Sequence, residues 1–219
     1  MKYNLYVGDV SVEAVFNKLG GLEGARAFLR GEQKLVPVLF ERNEHGHIVL
    51  TVTGLDLTGE QEVKRLEAAG FCLGNWAKSC LLSTEKDGYN TNHRLVDGQS
   101  YKIALMPTRE IKRDSDRTVD VLRKRGIEKY GYEKPLAGIV PRIRETVSAK
   151  RMEEMGFEYI VAPHDTIKDS DGHTDVLGAH RFDDGPWLYA IWTHPGICWD
   201  GNGAFAFLVP ASLPAGKAG

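Results

Sequence analysis

The sequence predicts an α+β fold, and two observations lead to that class. From Tyr101 onward the residue periodicities give a strand, two helices, a strand, a long irregular region and two final strands. The helices are therefore clustered in the chain instead of alternating one by one with the strands. Apolar residues make up 42% of the 219, which is enough for a substantial core. We expect one main domain preceded by a smaller module.

Residues 1–54 are predicted to form a small N-terminal α/β module of two helices and a hairpin. Apolar side chains recur at helical spacing across Val12–Leu29. Gly20-Gly21 divides this stretch into two short helices, because glycine favours helix ends. The strings KLVPVLF and HIVLTVTG are typical of strands and are joined across the turn sequence ERNEHGH.

Residues 55–100 are predicted to connect the two parts through a helix and a loop. Thr58 begins the helix with the Thr-x-x-Gln pattern of a capping box, and Gly70 ends it. The string FCLGNWAKSCLLS is apolar and is expected to be buried. TEKDGYNTNHRLVDGQS is polar and rich in turn residues, so we predict a loop at the boundary of the main domain.

The main domain is predicted over 101–210, and residues 211–219 are predicted to be a flexible tail. Its first strand, YKIALMP, stops at Pro107. One helix lies in DSDRTVDVLRKRG and a second runs over about Ile139–Met155. The strand FEYIVAPHD follows. The region Asp165–Gly185 is rich in glycine and aspartate and is predicted to be irregular loop, before the final strands WLYAIWT and AFAFLVP.

Charge and hydropathy restrict the partners that this protein can have. The net charge is −2, and residues 156–210 carry two Lys/Arg against eight Asp/Glu, which argues against nucleic acid as the partner. No apolar run is long enough to insert into a membrane, and no secretory signal is evident, so we expect a cytoplasmic protein. Cys72, Cys80 and Cys198 are expected to be buried free thiols, with a Cys72–Cys80 bridge as the alternative.

The residue types of common active sites are present, but their spacing is not typical of catalysis. The histidines lack the i, i+4 helical spacing of zinc hydrolases. KDSDGHTD resembles a calcium loop through Asp169, Asp171 and Asp175, yet no bidentate glutamate closes it, so a turn in which aspartates cap backbone amides is favoured. Cys198 and His194 could be drawn as nucleophile and base, but no helix fixes their geometry.

The string GPWLYAIWTHPGICWDGNGAFAFLVP holds three of the four tryptophans. In its first strand the faces alternate, and both of them are apolar, so neither is expected to face only solvent. The loop THPGICWDGN then combines tryptophan with short polar residues, a combination enriched in adaptable binding loops. This loop is the strongest candidate for a binding surface.

Four segments carry a resemblance to known proteins. They are GFCLGNWAKSCLLSTEKDGYNTNHRLVDGQSYKIALMP, GYEKPLAGIVPRIRETVS, EYIVAPHDTIKDSDG and GPWLYAIWTHPGICWDGNGAFAFLVP. Through them the chain resembles bacterial and phage-associated proteins with a C-terminal C-type-lectin-like domain, a fold that formylglycine-generating enzymes share. Variable proteins targeted by diversity-generating retroelements belong to that group. The resemblance implies that the final strand returns to pair beside the first strand of the domain.

The same resemblance implies non-enzymatic binding of a macromolecular ligand, which we expect to be a protein, with no cofactor and no metal. It implies a rigid framework formed by Trp187, Leu188, Trp192, Trp199, Phe205 and Phe207. It also implies a displayed, ligand-binding set formed by Tyr189, Ile191, Thr193, His194, Ile197, Cys198, Asp200 and Asn202, with His173, His180 and Asp183 on neighbouring loops.

Departures from the family pattern leave other functions open. CWDGN is at best a remnant of the Trp-Asn-Asp motif of sugar-binding C-type lectins. Only Cys198 lies where formylglycine-generating enzymes have a pair of cysteines. The alternatives are an enzyme of that type, a metal-dependent enzyme that uses His164, His173 and His180, or a structural phage or cell-surface component attached through its N-terminal module.

Overall fold

The computed structural model describes residues 6–7, 10–33, 40–182 and 185–210. The chain forms two compact units, Met1–Leu39 and Phe40–Gly219. The larger unit contains an eight-stranded, mostly antiparallel sheet covered by helices, which confirms the predicted α+β class. Of the predicted features, the strand KLVPVLF lies almost wholly outside the described residues, as does the tail 211–219.

The smaller unit contains a two-stranded antiparallel ribbon and two short helices, and the helices are divided where the sequence predicts. Gly20 and Gly21 both have positive φ, at 89° and 76°, which is a conformation that glycine adopts at little cost. The elements are β1 (Tyr6–Val7), β2 (Val10–Ser11), α1 (Val12–Lys18) and α2 (Gly21–Leu29).

The boundary between the units lies earlier in the chain than residue 54. Strand β3 (Ile48–Thr53) pairs antiparallel with β5 (Ser100–Pro107) over six residues, so the predicted hairpin strand belongs to the main sheet. Residues 55–100 are also part of the larger unit and do not form a separate connection. They contain α3 (Gly59–Ala68), β4 (Cys72–Leu73), α4 (Asn75–Leu82) and α5 (Tyr89–Asn92). The capping box of α3 is formed by Thr58 and Gln61 as predicted.

The remaining helices follow the predicted order, with one break. The predicted helix over Ile139–Met155 is two helices, because Val147 is extended and the Ser148 side chain accepts a hydrogen bond from the backbone N–H of Arg151, 3.1 Å away, at a new helix start. A π-helical turn follows α6. The elements are α6 (Val119–Lys124), the π-turn (Arg125–Lys129), α7 (Ile139–Thr146) and α8 (Ala149–Glu154).

The region predicted as irregular loop, Asp165–Gly185, is largely strand. Its central nine residues form β8 (Thr174–Phe182), buried from Asp175 to Ala179. Because both faces of this strand are covered, its apolar residues form a short run with no alternation, and Asp175 and Gly178 make that run difficult to recognise. The other strands are β6 (Tyr159–Val161), β7 (Ile167–Lys168), β9 (Gly185–Trp192) and β10 (Gly203–Leu208).

The sheet has the strand order β3-β5-β10-β6-β8-β9-β4, and β7 also pairs with β8. Only the pairs β10–β6 and β4–β9 are parallel. The last strand, β10, returns to pair antiparallel with β5, from Ala204 opposite Pro107 to Leu208 opposite Ile103. This is the return of the final strand that the resemblance implies.

The sheet separates two apolar layers. The first layer contains side chains of α3, α4, α7 and α8, with Leu177 and Leu188 from the sheet. The second layer lies on the other face under α6, where Phe205 and Phe207 are fully buried together with Trp199 from the loop after β9. Strands β8 and β9 are therefore held from both sides, and what they present to solvent lies at their ends.

Candidate binding surface

Strands β8 and β9 form an antiparallel hairpin whose eight residue pairs fix which side chains share a face. Leu188 and Ala190 point into the first layer, whereas Tyr189 and Ile191 pack against the second. The prediction that both faces of WLYAIWT are covered is therefore confirmed.

The predicted framework side chains are mostly buried, with one exception. Leu188, Trp199, Phe205 and Phe207 are buried, and Trp187 is half-buried. Trp192, predicted as framework, is instead 44% exposed. The reason is that β9 ends at this residue and the chain continues into the irregular loop, so no further strand residue covers the indole.

The predicted displayed side chains divide into two groups. Four of them are only half-exposed, because they contact the second layer or pair across the hairpin. These are His180, Tyr189, Ile191 and Thr193. Six are exposed as expected, namely His173, His194, Ile197, Cys198, Asp200 and Asn202. Asp183 lies outside the described residues.

The exposed indole of Trp192 is held between two imidazoles. Its ring centroid lies 5.1 Å from that of His173 and 4.7 Å from that of His194. The Thr193 hydroxyl donates to the carbonyl of Thr174, 2.7 Å away, and the Thr193 N–H donates to the same carbonyl at 2.9 Å. These bonds fix the chain immediately after Trp192. We call His173, Trp192 and His194 the Trp192 surface.

A second aromatic group lies at the opposite end of the hairpin. Phe182, 46% exposed, stacks on His180 with ring centroids 3.6 Å apart and an interplanar angle of 12°. Tyr189 meets His180 edge to face at 5.6 Å. Burial lowers the pKa of His180 and raises the pKa of Tyr189, so both are neutral near pH 7. The predicted site residues therefore do not form one continuous surface.

The loop between β9 and β10 is fixed by hydrogen bonds although it lacks regular structure. The hydroxyls of Thr108 and Tyr159 donate to the carbonyl of Asp200 at 2.7 and 3.1 Å. The N–H of Trp199 donates to the Arg117 carbonyl at 2.9 Å. The Asp200 carboxylate accepts from the N–H of Asn202 at 2.8 Å, so this side chain supports the turn.

The aspartate-rich turn before β8 forms the structure favoured from sequence. The Asp169 carboxylate accepts from the N–H groups of Asp171 and His173, each at 2.9 Å. Ligand atoms of these three side chains lie within 4.8 Å of one another, so they could hold a cation. The turn needs none, because the buried carboxylate is already bonded to backbone donors. Asp175, the third carboxylate of the calcium alternative, is buried beside the Cys80 thiol, 3.8 Å away.

The catalytic alternatives are not assembled in the described part of the chain. His164 is buried, with Nε2 accepting from the N–H of Leu177 at 2.9 Å, and His173 and His180 lie at opposite ends of β8. The Cys198 sulfur lies 3.4 Å from the Ser115 carbonyl, and the His194 ring accepts from the N–H of Gly196 at 3.1 Å. All three cysteines are free thiols as expected, but only Cys80 is buried, whereas Cys72 is half-buried and Cys198 is exposed.

One buried polar group was not anticipated from sequence. His47, the last residue of the predicted turn ERNEHGH, is buried, with Nδ1 2.7 Å from the Tyr132 hydroxyl and Nε2 bonded to the carboxylate of Glu110. Burial acts to raise the pKa of Glu110, but hydrogen bonds from Tyr130, His47 and Arg125 outweigh it and lower the pKa. Because the partners are 63 and 85 residues from His47, no local pattern could reveal them.

Comparison with known proteins finds no match to this chain. No protein-family model matches this chain, and neither a curated protein nor a solved structure matches it. In the described residues no helix has both the length and the apolar character needed to cross a membrane. What the chain does must therefore be argued from its own geometry.

Proposed function

We propose that this protein binds a macromolecular ligand, a protein, without catalysing a reaction, and that the Trp192 surface is the centre of the contact. One observation supports this most: a large aromatic side chain, 44% exposed, is in contact with two histidine rings that are tilted by 47° and 45° relative to it. Aromatic side chains dominate the binding energy of protein interfaces, so an exposed indole positioned by neighbouring rings is suited to the centre of a contact.

The Trp192 surface is arranged before any ligand arrives. The two hydrogen bonds from Thr193 to the Thr174 carbonyl fix the backbone next to Trp192, and the contacts with His173 and His194 restrict the indole. Less conformational entropy is therefore lost on binding. A central aromatic residue of this kind typically contributes about 2 kcal/mol or more to affinity. Ile197, exposed on the following loop, extends the apolar area.

The scaffold that we propose is C-type-lectin-like. The return of β10 to β5, the helices between β5 and β6, and the irregular but hydrogen-bonded loop between β9 and β10 all support it. On such a scaffold the exposed loop positions can change while the buried frame stays constant, as in the targets of diversity-generating retroelements. We extend that role to this chain as part of the proposal.

The charge around the surface favours a particular kind of partner. Asp169 and Asp171 lie in the turn that presents His173, and residues 156–210 carry a net charge of −6. A phosphate backbone would be repelled, whereas a neutral or basic protein surface with an apolar centre would be complementary.

Site-specific photo-crosslinking tests this proposal. A benzophenone amino acid placed at position 192 of the full chain should give one discrete protein adduct in an extract of the native cells, because the side chain lies at the contact. The matched control is the same substitution at Trp76, which is 57% exposed on α4.

The expected result is an adduct at position 192 that is missing at position 76, identified by mass spectrometry. The absence of an adduct at position 192, or the same set of adducts at both positions, would contradict the proposed surface.

A further inference from the structure

A pocket of about 380 Å³ lies beside the Phe182 end of the hairpin. Its walls are mainly apolar and its volume suits a small molecule. Its apolar part includes Phe71, Ala149, Phe182 and Pro186. Its charged residues are Arg144 and Glu145, and the Glu145 carboxylate already pairs with Arg65 and Arg142.

Arg144 gives this pocket an unusual charge. The residue is only 1% exposed, and its guanidinium pairs with no carboxylate in the described chain. One terminal nitrogen donates to the carbonyl of His180 at 3.1 Å, and the other donates to the carbonyl of Val147. The Nε–H group is buried without an acceptor. Burial alone lowers the pKa of Arg144 to about 10, so the group is still charged at neutral pH.

Arg142, two residues earlier on α7, shows how the same fold treats a buried arginine that has only a structural role. It is 3% exposed, and its guanidinium pairs with the carboxylates of Glu62 and Glu145. Buried charges are normally compensated in this way, because an isolated charge in the interior is costly. The Nε–H of Arg142 also lacks an acceptor, so Arg144 differs from Arg142 on this helix in having no paired carboxylate.

The end of α7 explains part of the environment of Arg144. Val147 is the C-cap of α7, and a cation near a helix C-terminus interacts favourably with the helix dipole. That contact satisfies one nitrogen, and the His180 carbonyl satisfies another. These contacts leave one positive charge without a paired carboxylate and one N–H group without an acceptor, in the lining of a mainly apolar pocket.

We propose that this pocket binds an amphipathic carboxylate, with its apolar body between Phe71, Phe182 and Pro186 and its carboxylate directed toward Arg144. One buried positive charge is complementary to a monoanion. A dianion such as a phosphate monoester would leave its second charge in apolar surroundings. This site is separate from the Trp192 surface and does not depend on the function proposed for it.

Isothermal titration calorimetry with a matched ligand pair tests the proposal. The probes are 4-phenylbutyrate and 4-phenylbutan-1-ol, which share the apolar body and differ in the charged group. We expect the full-length protein to bind the carboxylate at least tenfold more tightly than the alcohol. Arg144→Met should abolish that preference, whereas Lys150→Met, which removes an exposed cation from the next helix, should keep it.

Phe182→Ser provides a second variant should Arg144→Met fail to fold, because the ring is 46% exposed. It should weaken binding of both probes at least fivefold and leave their ratio unchanged. Equal affinity of the wild-type protein for the two probes, binding of neither, or unchanged affinity of Phe182→Ser would overturn the proposal.

Discussion

Glycines under aromatic rings position the side chains at the ends of the sheet. The ring of Tyr159 lies over Gly203, so that a Cβ at Gly203 would overlap the ring. Tyr159 in turn donates to the Asp200 carbonyl, and its ring contacts Trp199 with centroids 5.2 Å apart. The loop after β9 is therefore supported by a ring that only a glycine at 203 can accommodate.

Gly203→Ala is expected to destabilise the protein by about 1–3 kcal/mol, because the added methyl group displaces Tyr159 in a packed layer. Chemical denaturation measures the change. Gly201→Ala is the matched control, since its added Cβ would meet no heavy atom closer than 3.5 Å and should change stability by less than about 0.5 kcal/mol. Equal effects of the two substitutions would show that Tyr159 does not need this space.

At the same scale, the sequence predicts which aromatic residues of the candidate site are buried better than which one is exposed. The burial of Trp199, Phe205 and Phe207 follows from their place in or beside the final strand. The exposure of Trp192 does not follow, because alternation assigns it to the same face as the buried Leu188. Trp192 is exposed because β9 ends there, and the end of a strand depends on contacts between residues that are distant in the chain.

Among the elements, β8 depends on a buried histidine. His164 Nε2 accepts from the N–H of Leu177, and Nδ1 lies 2.6 Å from the carbonyl of Asp165. Both bonds require the neutral ring with its proton on Nδ1, and protonation of Nε2 would set two N–H groups against each other. Burial is the main cause that lowers the pKa of His164 to about 3.

The pH dependence of stability follows from that pKa. The unfolded chain binds a proton at His164 below about pH 6.5, and the folded chain does not, so stability is full above pH 6.5 and is lost as the pH falls. The contribution of His164 to the loss should be about 2 kcal/mol between pH 7.5 and pH 5, at about 1.4 kcal/mol per pH unit.

Urea denaturation of wild type and His164→Asn at these two pH values isolates the effect. The variant is less stable at pH 7.5, but its stability should fall by about 2 kcal/mol less on acidification. His45→Gln, at an exposed turn, should keep the wild-type slope. The same fall in His164→Asn and wild type would rule out His164 as the source.

Helices and their caps could be predicted from sequence because their signals are local. Thr58 with Gln61, and Gly20-Gly21, are found where the patterns place them. Strand β8 was missed, because a strand covered on both faces has no alternation, and Gly178 within it is there to accommodate Tyr189, whose Cε1 would lie 2.9 Å from an added Cβ. That requirement involves a residue on the neighbouring strand.

For the molecule as a whole, the order of elements was sufficient to predict the α+β class but not the limits of the larger unit. Strand β3 joins the sheet beside β5, which is about fifty residues later, and no local signal reports such a pairing. The sequence indicates which residues are candidates for the site, but not that they lie in two separate groups. The two ends of the hairpin separate those residues into the Trp192 surface and the Phe182 group.

Binding through the Trp192 surface is the central claim, and the affinity of the crosslinked partner for two variants tests it most directly. Trp192→Ala should raise the dissociation constant at least tenfold, and about thirtyfold if the indole contributes about 2 kcal/mol. Trp76→Ala, which removes an equally large exposed indole from α4, should leave it unchanged. Equal dissociation constants for Trp192→Ala and wild type, with both proteins folded, would contradict the account.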